Sequence, residues 1–282
     1  MNQQQLSLWC KAYNTRSAEE KWQKPLIMGI LNITPDSFSD GGRYLGLDAA
    51  LNKSSQMISE GADILDIGGE SSKPGAMPIS VDEELSRVIP VIEHIRQYSD
   101  VAISIDTCKA TVMEEAIKAG VSMVNDITAL NDSAARKLVA ASGVPVCLMH
   151  MQGTPQTMQA NPTYTASVLD ELHQFFESKM NLCTLSGIAK EQIILDPGFG
   201  FGKTVGHNLQ ILKHIKAFKR HNRPLLLGVS KKSTIGAILQ KKVEQRTIGS
   251  LSASLFAALE GTAILRTHDV EVLFQGLHMF DA

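Results

Sequence analysis

The sequence predicts a (β/α)8 barrel in a single domain, and three observations support this fold class. Short apolar runs rich in β-branched residues alternate with longer segments of helical periodicity along most of the chain. The runs are apolar throughout, which is typical of strands buried on both faces of a parallel sheet. Eight such units are present, and they close into a barrel more readily than they form an open sheet. An open doubly wound sheet is the alternative.

The predicted strands and helices follow one another in a regular order. The strands are expected at residues 26–34, 64–69, 102–107, 123–127, 144–150, 193–196, 224–230 and 263–267. The helices are expected at residues 47–60, 82–98, 110–119, 132–142, 167–186, 207–219 and 243–260, with a short last helix after residue 268. Glycines stand where several of these helices should end. They are Gly61, Gly120, Gly143, Gly187 and Gly261.

Length and composition limit the possible functions. With 282 residues, 44% of them hydrophobic, the chain can bury one large core, so we expect one domain over residues 1–282 with its core at about 26–270. A net charge of −2 leaves no general basic surface, which argues against nucleic-acid binding. No apolar stretch is long enough for a membrane span, and the polar start of the chain does not resemble a secretory signal. Four cysteines without metal-ligand spacing suit a reduced, cytoplasmic protein.

Polar residues stand at the carboxyl end of every predicted strand. In a (β/α)8 barrel these ends meet at one mouth, where the active sites of such enzymes lie. Capping explains one or two polar strand ends, but eight in succession indicate a common site. They are Asn32, Glu70, Asp106, Asn125 with Asp126, His150, Asp196, residues 230–232 and residues 266–269.

Three loops at this mouth carry more than a turn requires. Residues 32–42 offer an amide, hydroxyls, two carboxylates and Phe38, while residues 68–75 and 195–203 are rich in glycine and let backbone approach a ligand closely. Neither glycine-rich segment fits a Walker A or a dinucleotide-binding pattern.

Eight motifs in order resemble those of bacterial dihydropteroate synthases. They are MGILNITPDSFSDGG, GGESSKPG, SIDTCK, VNDI, LMHMQG, LDPGFGFGK, GVSKKS and RTHDV, and together they span about residues 26 to 270. The resemblance implies a transferase that joins hydroxymethyl-dihydropterin pyrophosphate to para-aminobenzoate in folate biosynthesis and releases pyrophosphate. It also implies a homodimer and a sulfonamide target, because those drugs mimic the amine substrate.

The resemblance implies a pterin site at the mouth. A carboxylate suits the amino-pyrimidine edge of a pterin, because it accepts two parallel hydrogen bonds from neighbouring N–H donors. The implied pterin residues are Asp106, Asn125, Met149, Asp196 and Lys232, and the implied catalytic residues are Asp106, Lys232, Arg266 and His268.

The resemblance also implies a pocket for the pyrophosphate, formed by Asn32, Ser72, Arg266 and His268. Arg266 and His268 stand two residues apart on the last predicted strand, so their side chains point to the same side and can share one anion. The amide oxygen of Asn32 is the implied ligand of Mg2+, an ion that keeps most of its waters and needs few protein ligands beside a phosphate group.

The para-aminobenzoate requires an apolar slot for its ring and a positive end for its carboxylate. Ser233 follows Lys232 where helical periodicity resumes, so a helix N-terminus is expected to receive the carboxylate. We expect the loops at residues 35–43 and 71–80 to close over the pyrophosphate and complete the slot. The implied residues are Phe38, Ser72, Lys73, Pro74, Phe201, Lys232 and Ser233.

Departures from the usual family motifs leave alternatives open. Ser72 stands where threonine is usual, and Lys73 and Lys231 stand where arginine is usual. Lys73 keeps the charge but lacks the planar fork of arginine. One alternative is therefore a catalytically silent pterin-binding paralogue. Another alternative is a pterin-dependent methyltransferase on the same fold, because such enzymes share the pterin-binding aspartates and asparagine. Residues 271–276 also resemble a viral-protease cleavage tag, although a native last helix is the preferred interpretation.

Overall fold

The computed structural model describes residues 1–13, 23–34 and 42–281, and within these ranges eight strands form one parallel sheet. The strands are β1 Leu26–Asn32, β2 Ile64–Gly68, β3 Ala102–Asp106, β4 Met123–Asp126, β5 Val146–Met149, β6 Ile193–Asp196, β7 Leu226–Leu227 and β8 Ile264–Thr267. Their order in the sheet is β6-β5-β4-β3-β2-β1-β8-β7. A parallel bridge between Leu195 and Leu225 joins the two edges. The sheet therefore closes, and the predicted (β/α)8 barrel is confirmed.

Helices follow the strands in the expected alternation. They are α1 Gln3–Tyr13, α2 Gly42–Ser59, α3 Val81–Tyr98, α4 Ala110–Lys118, α5 Ser133–Ser142, α6 Val168–Leu185, α7 Val205–Lys213, α8 Ser233–Leu239, α9 Thr247–Leu259 and α10 Val270–Asp281. Short 3-10 helices occur at Lys190–Gln192, Ile215–His221 and Val243–Gln245. The five glycines predicted to end helices all have a positive φ, between 71° and 102°. None of the helices in the described ranges is long and apolar enough to cross a membrane.

Three predicted elements differ from those observed. The strand expected at residues 224–230 is only two residues long, and the helix expected at 207–219 is divided at His214, whose backbone leaves the helical region. The helix expected at 243–260 is also divided, because its first turn is the 3-10 helix Val243–Gln245 and α9 begins only at Thr247. The predicted last helix is present as α10, which has 12 residues and buries Val270, Leu273 and Leu277 against the barrel.

The helix α1 was not predicted, and it closes the end of the barrel opposite the mouth. Its buried residues Leu6 and Cys10 pack against apolar side chains from all eight strands. Backbone contacts fix it there: the carbonyl of Met1 accepts a hydrogen bond from Ala102 N at 2.7 Å, and Asn2 forms a bridge with Val101.

Alternate residues of each strand face the barrel interior. The first inward positions are apolar and form a cluster separate from the one under the outer helices. Two residues further along, five of the eight inward positions carry polar or charged side chains. These second inward positions are Met28, Asp66, Ser104, Asn125, Met149, Asp196, Gly228 and Arg266.

Candidate active site

Arg266 is the centre of a charged cluster inside the mouth. Its Nε donates to Asp66 Oδ2 at 2.5 Å, and its Nη2 donates to Asp106 Oδ2 at 2.8 Å. The amide of Asn125 donates to the same oxygen of Asp66 at 3.2 Å. Two buried carboxylates this close would repel each other, so the guanidinium is needed to neutralise them. Asp66 was not among the predicted site residues.

Asp106 titrates far from its ordinary range. Burial and the neighbouring carboxylate of Asp66 raise the pKa of Asp106 to about 7, although Arg266 acts in the opposite direction. Its strand partner Gly68 has no side chain, and a Cβ at Gly68 would lie 3.4 Å from Asp106 Cβ and 3.8 Å from Asn32 Oδ1. The ends of β1, β2 and β3 therefore place an amide oxygen and a carboxylate around one small opening.

Asp196 and Lys232 form the opposite side of the mouth. Asp196 ends β6 beside Met149 of β5, and its Oδ1 accepts a hydrogen bond from Gly198 N at 2.7 Å. Burial raises the pKa of Asp196, while Lys232 lowers it. Burial lowers the pKa of Lys232 to about 8. The ammonium of Lys232 donates to the carbonyl of Phe199 and lies 4.6 Å from the centre of the Phe201 ring, a cation–π contact.

The glycine-rich loop after β6 depends on a buried lysine. Lys203 Nζ lies 2.9 Å from His150 Nδ1 and donates to the carbonyl of Phe201 at 3.0 Å. Burial lowers the pKa of Lys203 to about 7 and that of His150 to about 3, so His150 is neutral. Gly198 has a φ of 65°, and a Cβ there would lie 1.8 Å from the carbonyl oxygen of His150. The loop can therefore approach β5 this closely only with glycine.

His268 lies beside Arg266 at the end of β8. Its Nδ1 is 3.0 Å from Ser230 Oγ. Burial and the positive charge of Arg266 lower the pKa of His268 to about 4. The imidazole is therefore neutral at pH 7, and it can donate one N–H to an anion without adding a charge.

The loop after β2 carries Ser72, Lys73 and Pro74 and is fixed at both sides. Gly75 N donates to the carbonyl of Pro155 at 2.9 Å, in the connection between β5 and α6. Lys73 and Pro74 are exposed. The charge of Lys73 makes a small contribution to lowering the pKa of His268, after burial and the charges of Arg266 and Lys231.

Three predicted strand-end residues serve the scaffold instead of facing the centre of the site. Glu70 accepts hydrogen bonds from Lys109 Nζ at 2.6 Å and from Ile79 N at 2.9 Å, so it fixes the loop after β2. Asp126 accepts from the backbone of Thr128 and Leu130. His150 is occupied by Lys203. Ser233 lies exposed as the first residue of α8, and Phe38 lies outside the described residues.

The comparisons with known proteins agree with this arrangement. A family model described as "Pterin binding enzyme" matches residues 28–268. A dihydropteroate synthase from Haemophilus influenzae is 49% identical over 92% of this chain and 94% of its own length. The chain belongs to the dihydropteroate synthase family. The family prediction made from the sequence motifs is therefore confirmed.

Solved structures from the dihydropteroate synthase family share the same barrel. A Yersinia pestis dihydropteroate synthase in a sulfonamide drug complex has a TM-score of 0.87 and 44% identity, covering 94% of this chain and 97% of that chain. A Xanthomonas albilineans dihydropteroate synthase in complex with 7,8-dihydropteroate has a TM-score of 0.84 and 40% identity, covering 93% and 94%.

The donor atoms at the mouth fit a sparsely coordinated Mg2+. Within residues 1–13, 23–34 and 42–281, no three His, Cys, Asp or Glu side chains form a group that could hold a metal ion. A closed protein site for a transition metal is therefore absent from this part of the chain. Asn32 Oδ1 is a hard oxygen donor at the mouth, and Mg2+ bound to a diphosphate and water requires few others.

Proposed function

We propose that this chain is a transferase that condenses hydroxymethyl-dihydropterin pyrophosphate with para-aminobenzoate, giving dihydropteroate and pyrophosphate. The observation that carries the proposal is the convergence of Asp106, Asn125, Asp196, Lys232 and Arg266 at one mouth of a barrel of this family. Among the relatives, the structure of a dihydropteroate synthase from Xanthomonas albilineans was solved in complex with 7,8-dihydropteroate, the product of the proposed reaction.

The pterin ring is bound between the two sides of the mouth. Asp196 accepts hydrogen bonds from the amino-pyrimidine edge, and its buried carboxylate makes such charge-assisted bonds strong. Asn125 offers an amide that both donates and accepts, Met149 supplies an apolar surface, and Lys232 donates to the carbonyl side of the ring. A pterin lying here replaces the water around these buried polar groups.

The reaction breaks the C–O bond to the pyrophosphate and forms a C–N bond to the aniline nitrogen. Electrons of the pterin ring assist departure of the leaving group, and the ionised carboxylate of Asp106 stabilises the positive charge that develops. The amine then attacks and loses a proton. No nucleophilic side chain is needed, so catalysis consists of positioning and of neutralising the departing charge.

The leaving pyrophosphate is bound by Arg266, His268 and Ser72. Arg266 carries a permanent charge, and the neutral His268 donates a hydrogen bond. Asn32 is the residue that would hold Mg2+, whose charge would help neutralise the diphosphate when it is bound.

The para-aminobenzoate slot lies between the loops after β2 and β6. Phe201 and Pro74 flank its ring, while Lys73, Lys232 and the amino-terminal end of α8 at Ser233 offer positive charge to its carboxylate. The resemblance also implies Phe38, which lies outside the described residues, for this slot. We also propose that the loop at residues 35–43, most of which lies outside the described residues, and the loop at 71–80 close over the bound pyrophosphate, which limited proteolysis with and without pterin pyrophosphate would test.

The same proposal includes a cytoplasmic homodimer that sulfonamides inhibit. The helix α9 carries an apolar stripe of Ile248, Leu251, Leu255 and Leu259, of which Ile248 is 78% exposed and Leu259 51% exposed. Neighbouring Phe256 is also exposed. Large apolar side chains of this kind are typical of an interface between two copies.

Pyrophosphate release tests the proposed reaction. The protein is mixed with pterin pyrophosphate, para-aminobenzoate and Mg2+, and the expected result is one pyrophosphate for each dihydropteroate. Pterin binding without release would instead favour the silent paralogue. Methyl transfer from a methylated pterin, with no release of pyrophosphate, would favour the methyltransferase.

A further inference from the structure

Asp66 is a buried residue of the mouth to which neither the sequence motifs nor the proposed mechanism gives a role. It lies in the middle of β2 with no exposed surface, one layer below the opening. Its Oδ2 accepts hydrogen bonds from Arg266 Nε at 2.5 Å and from Asn125 Nδ2 at 3.2 Å. One oxygen atom therefore joins the arginine assigned to the diphosphate and the asparagine assigned to the pterin.

We propose that Asp66 is a positioning residue that holds Arg266 and Asn125 at a fixed separation, so that the pterin and diphosphate ends of one substrate bind together. This inference rests on the proposed function, because it takes from there the ligands of the two residues. Asp66 itself lies below both side chains and contacts substrate through neither of its own oxygens.

The energetics of Asp66 argue against a role in stability alone. A buried carboxylate loses its hydration, and pairing with a guanidinium only partly compensates, so well-packed apolar residues in place of the whole ion pair are often as stable or more stable. Its second oxygen, Oδ1, is buried with no hydrogen-bond partner among the described residues. The same is true of Oγ of Ser104, the residue of β3 that is paired with Asp66. The protein thus retains a costly group whose directed bonds all point to two binding residues.

The geometry of the arginine supports the same conclusion. Arg266 donates Nε to Asp66 and Nη2 to Asp106, so two of its donors are fixed and the plane of the guanidinium is determined. A planar group held at two points has little rotational freedom left to lose when it binds an anion. Removing Asp66 would leave Arg266 to rotate about a single contact.

Electrostatics give Asp66 a second effect on the site. The charged groups that act on Asp106 include Asp66, Arg266, Asp126, Glu84 and Lys232, and the Asp66 charge contributes to raising the pKa of Asp106. A neutral residue at position 66 therefore lowers that pKa. The acidic limb of the pH–rate profile should move to lower pH when Asp66 loses its charge.

Two substitutions separate geometry from charge. Asp66→Ala removes the shared acceptor, whereas Asp66→Asn retains one oxygen that can accept from both Arg266 and Asn125. The matched control is Ser104→Ala, which removes an unpartnered hydroxyl from the same layer. The probes are 6-hydroxymethylpterin and inorganic pyrophosphate with Mg2+, each titrated separately, followed by steady-state turnover.

For Asp66→Ala we expect weaker binding of both probes and a loss of about 100-fold in kcat/KM, because a misplacement of about 1 Å is sufficient for such a loss. Asn125→Ala should weaken only the pterin, and Arg266→Ala only the pyrophosphate. Asp66→Asn should keep both affinities but shift the acidic limb to lower pH, and Ser104→Ala should resemble the wild type.

A folded Asp66→Ala variant with wild-type affinity for both probes would overturn the proposal. If that variant does not fold, Asp66→Asn decides, and a loss of affinity for either probe in this folded variant, which keeps the shared acceptor oxygen, would then contradict the inference. If the wild-type protein binds both probes but releases no pyrophosphate, the proposed function is wrong. The probe affinities of the wild type and of Asp66→Ala would still test the positioning role of Asp66.

Discussion

The two layers of side chains inside the barrel come from the same strands but differ in chemistry, because five of the eight positions in the upper layer are polar or charged. The lower layer includes Met123, Ile194 and Ile264, is entirely apolar and is covered by α1. Two residues further along those strands stand Asn125, Asp196 and Arg266. Every strand thus leads from a packing position to a position at the mouth within about 7 Å of backbone.

This difference shows where the fold gains stability and where it gives some up. The apolar layer buries surface without polar cost. The mouth buries carboxylates, an arginine and amides whose hydration is lost and only partly replaced. The stability of the apolar layer allows the barrel to hold the polar side chains at the mouth in a precise but unfavourable arrangement. Binding of a polar substrate requires such an arrangement.

Arg266→Ala should cause the largest combined loss of stability and turnover. Asp66 and Asp106 would remain buried without a counter-charge, so we expect a stability loss of about 3–5 kcal/mol at pH 8. Turnover should fall by about 10²–10³-fold, because the permanent positive charge of Arg266 no longer neutralises the leaving pyrophosphate. Pterin affinity should be retained. Denaturant unfolding and pyrophosphate release measure the two effects.

The control for Arg266→Ala is Ile264→Val, two residues earlier on β8 and in the apolar layer. It should cost about 0.5–1.5 kcal/mol and leave turnover unchanged. If Arg266→Ala loses pterin affinity, the assignment of Arg266 to the diphosphate pocket is wrong.

Leu6→Ala should lower stability and leave the chemistry intact. Leu6 has no exposed surface and fills the closed end of the barrel. Truncation removes apolar contacts and leaves a cavity, so we expect a loss of about 2–5 kcal/mol in unfolding free energy. The kcat of the folded protein should remain unchanged; a reduced kcat at full folding would show that the lower layer also shapes the site.

Gly202→Ala should disturb the aminobenzoate slot. Gly202 has a φ of 64°, and a Cβ would lie 2.6 Å from Gln152 Cβ and 2.8 Å from its carbonyl oxygen. The strain of about 1–3 kcal/mol should shift the adjacent Phe201. We expect a higher KM for para-aminobenzoate with pterin affinity nearly unchanged.

Gly143→Ala provides the control for that loop. Gly143 has a similar φ of 71°, but a Cβ there meets nothing within 4 Å. It should cost about 1–2 kcal/mol from the backbone conformation alone and leave both Michaelis constants unchanged. Equal kinetic changes in the two glycine variants would contradict a specific role for the loop at Gly202.

A buried histidine pair outside the barrel should give the smallest effect. His173 Nδ1 lies 2.8 Å from His221 Nε2, and burial lowers the pKa of both, that of His221 to about 4. Below pH 6.5 the unfolded chain therefore binds protons that the folded chain does not, and stability falls as pH falls towards 4.

We expect His221 to account for about 1 kcal/mol of the stability lost between pH 6.5 and 5. His221→Gln should reduce that slope without changing the pH–rate profile. The unfolding free energy of both proteins, measured at several pH values, tests this expectation. If its dependence on pH is the same in the variant, the acid sensitivity comes from other groups.

The sequence predicted the barrel because strand and helix periodicities are local properties. It failed where tertiary contacts decide. The helix α1 is short and polar, and only Leu6 and Cys10 of it are buried, so no apolar stripe marked it. The predicted strand at residues 224–230 contains only the two-residue β7, and Pro224 at its start, which has no N–H to donate to a sheet, was a local signal that the prediction did not use.

The candidate site could be predicted as far as strand ends could be recognised. Asp106, Asn125, Asp196 and Arg266 stand at or next to the ends of apolar runs, so the barrel rule placed them together. Asp66 lies inside the run ILDIG and was therefore interpreted as part of a buried strand. Only the interior register of β2 with its neighbours shows that its side chain faces Arg266 and Asn125.

The most direct measurement of the two-layer account compares pterin binding by two variants that differ in layer. Asp196→Asn weakens a charge-assisted contact at the mouth, and Met123→Ala removes packing below it. We expect the Kd for 6-hydroxymethylpterin to rise by about 10- to 100-fold in Asp196→Asn. In Met123→Ala it should stay within about twofold, despite a stability loss of about 2–5 kcal/mol. Equal increases in both variants, or none in Asp196→Asn, would contradict the account.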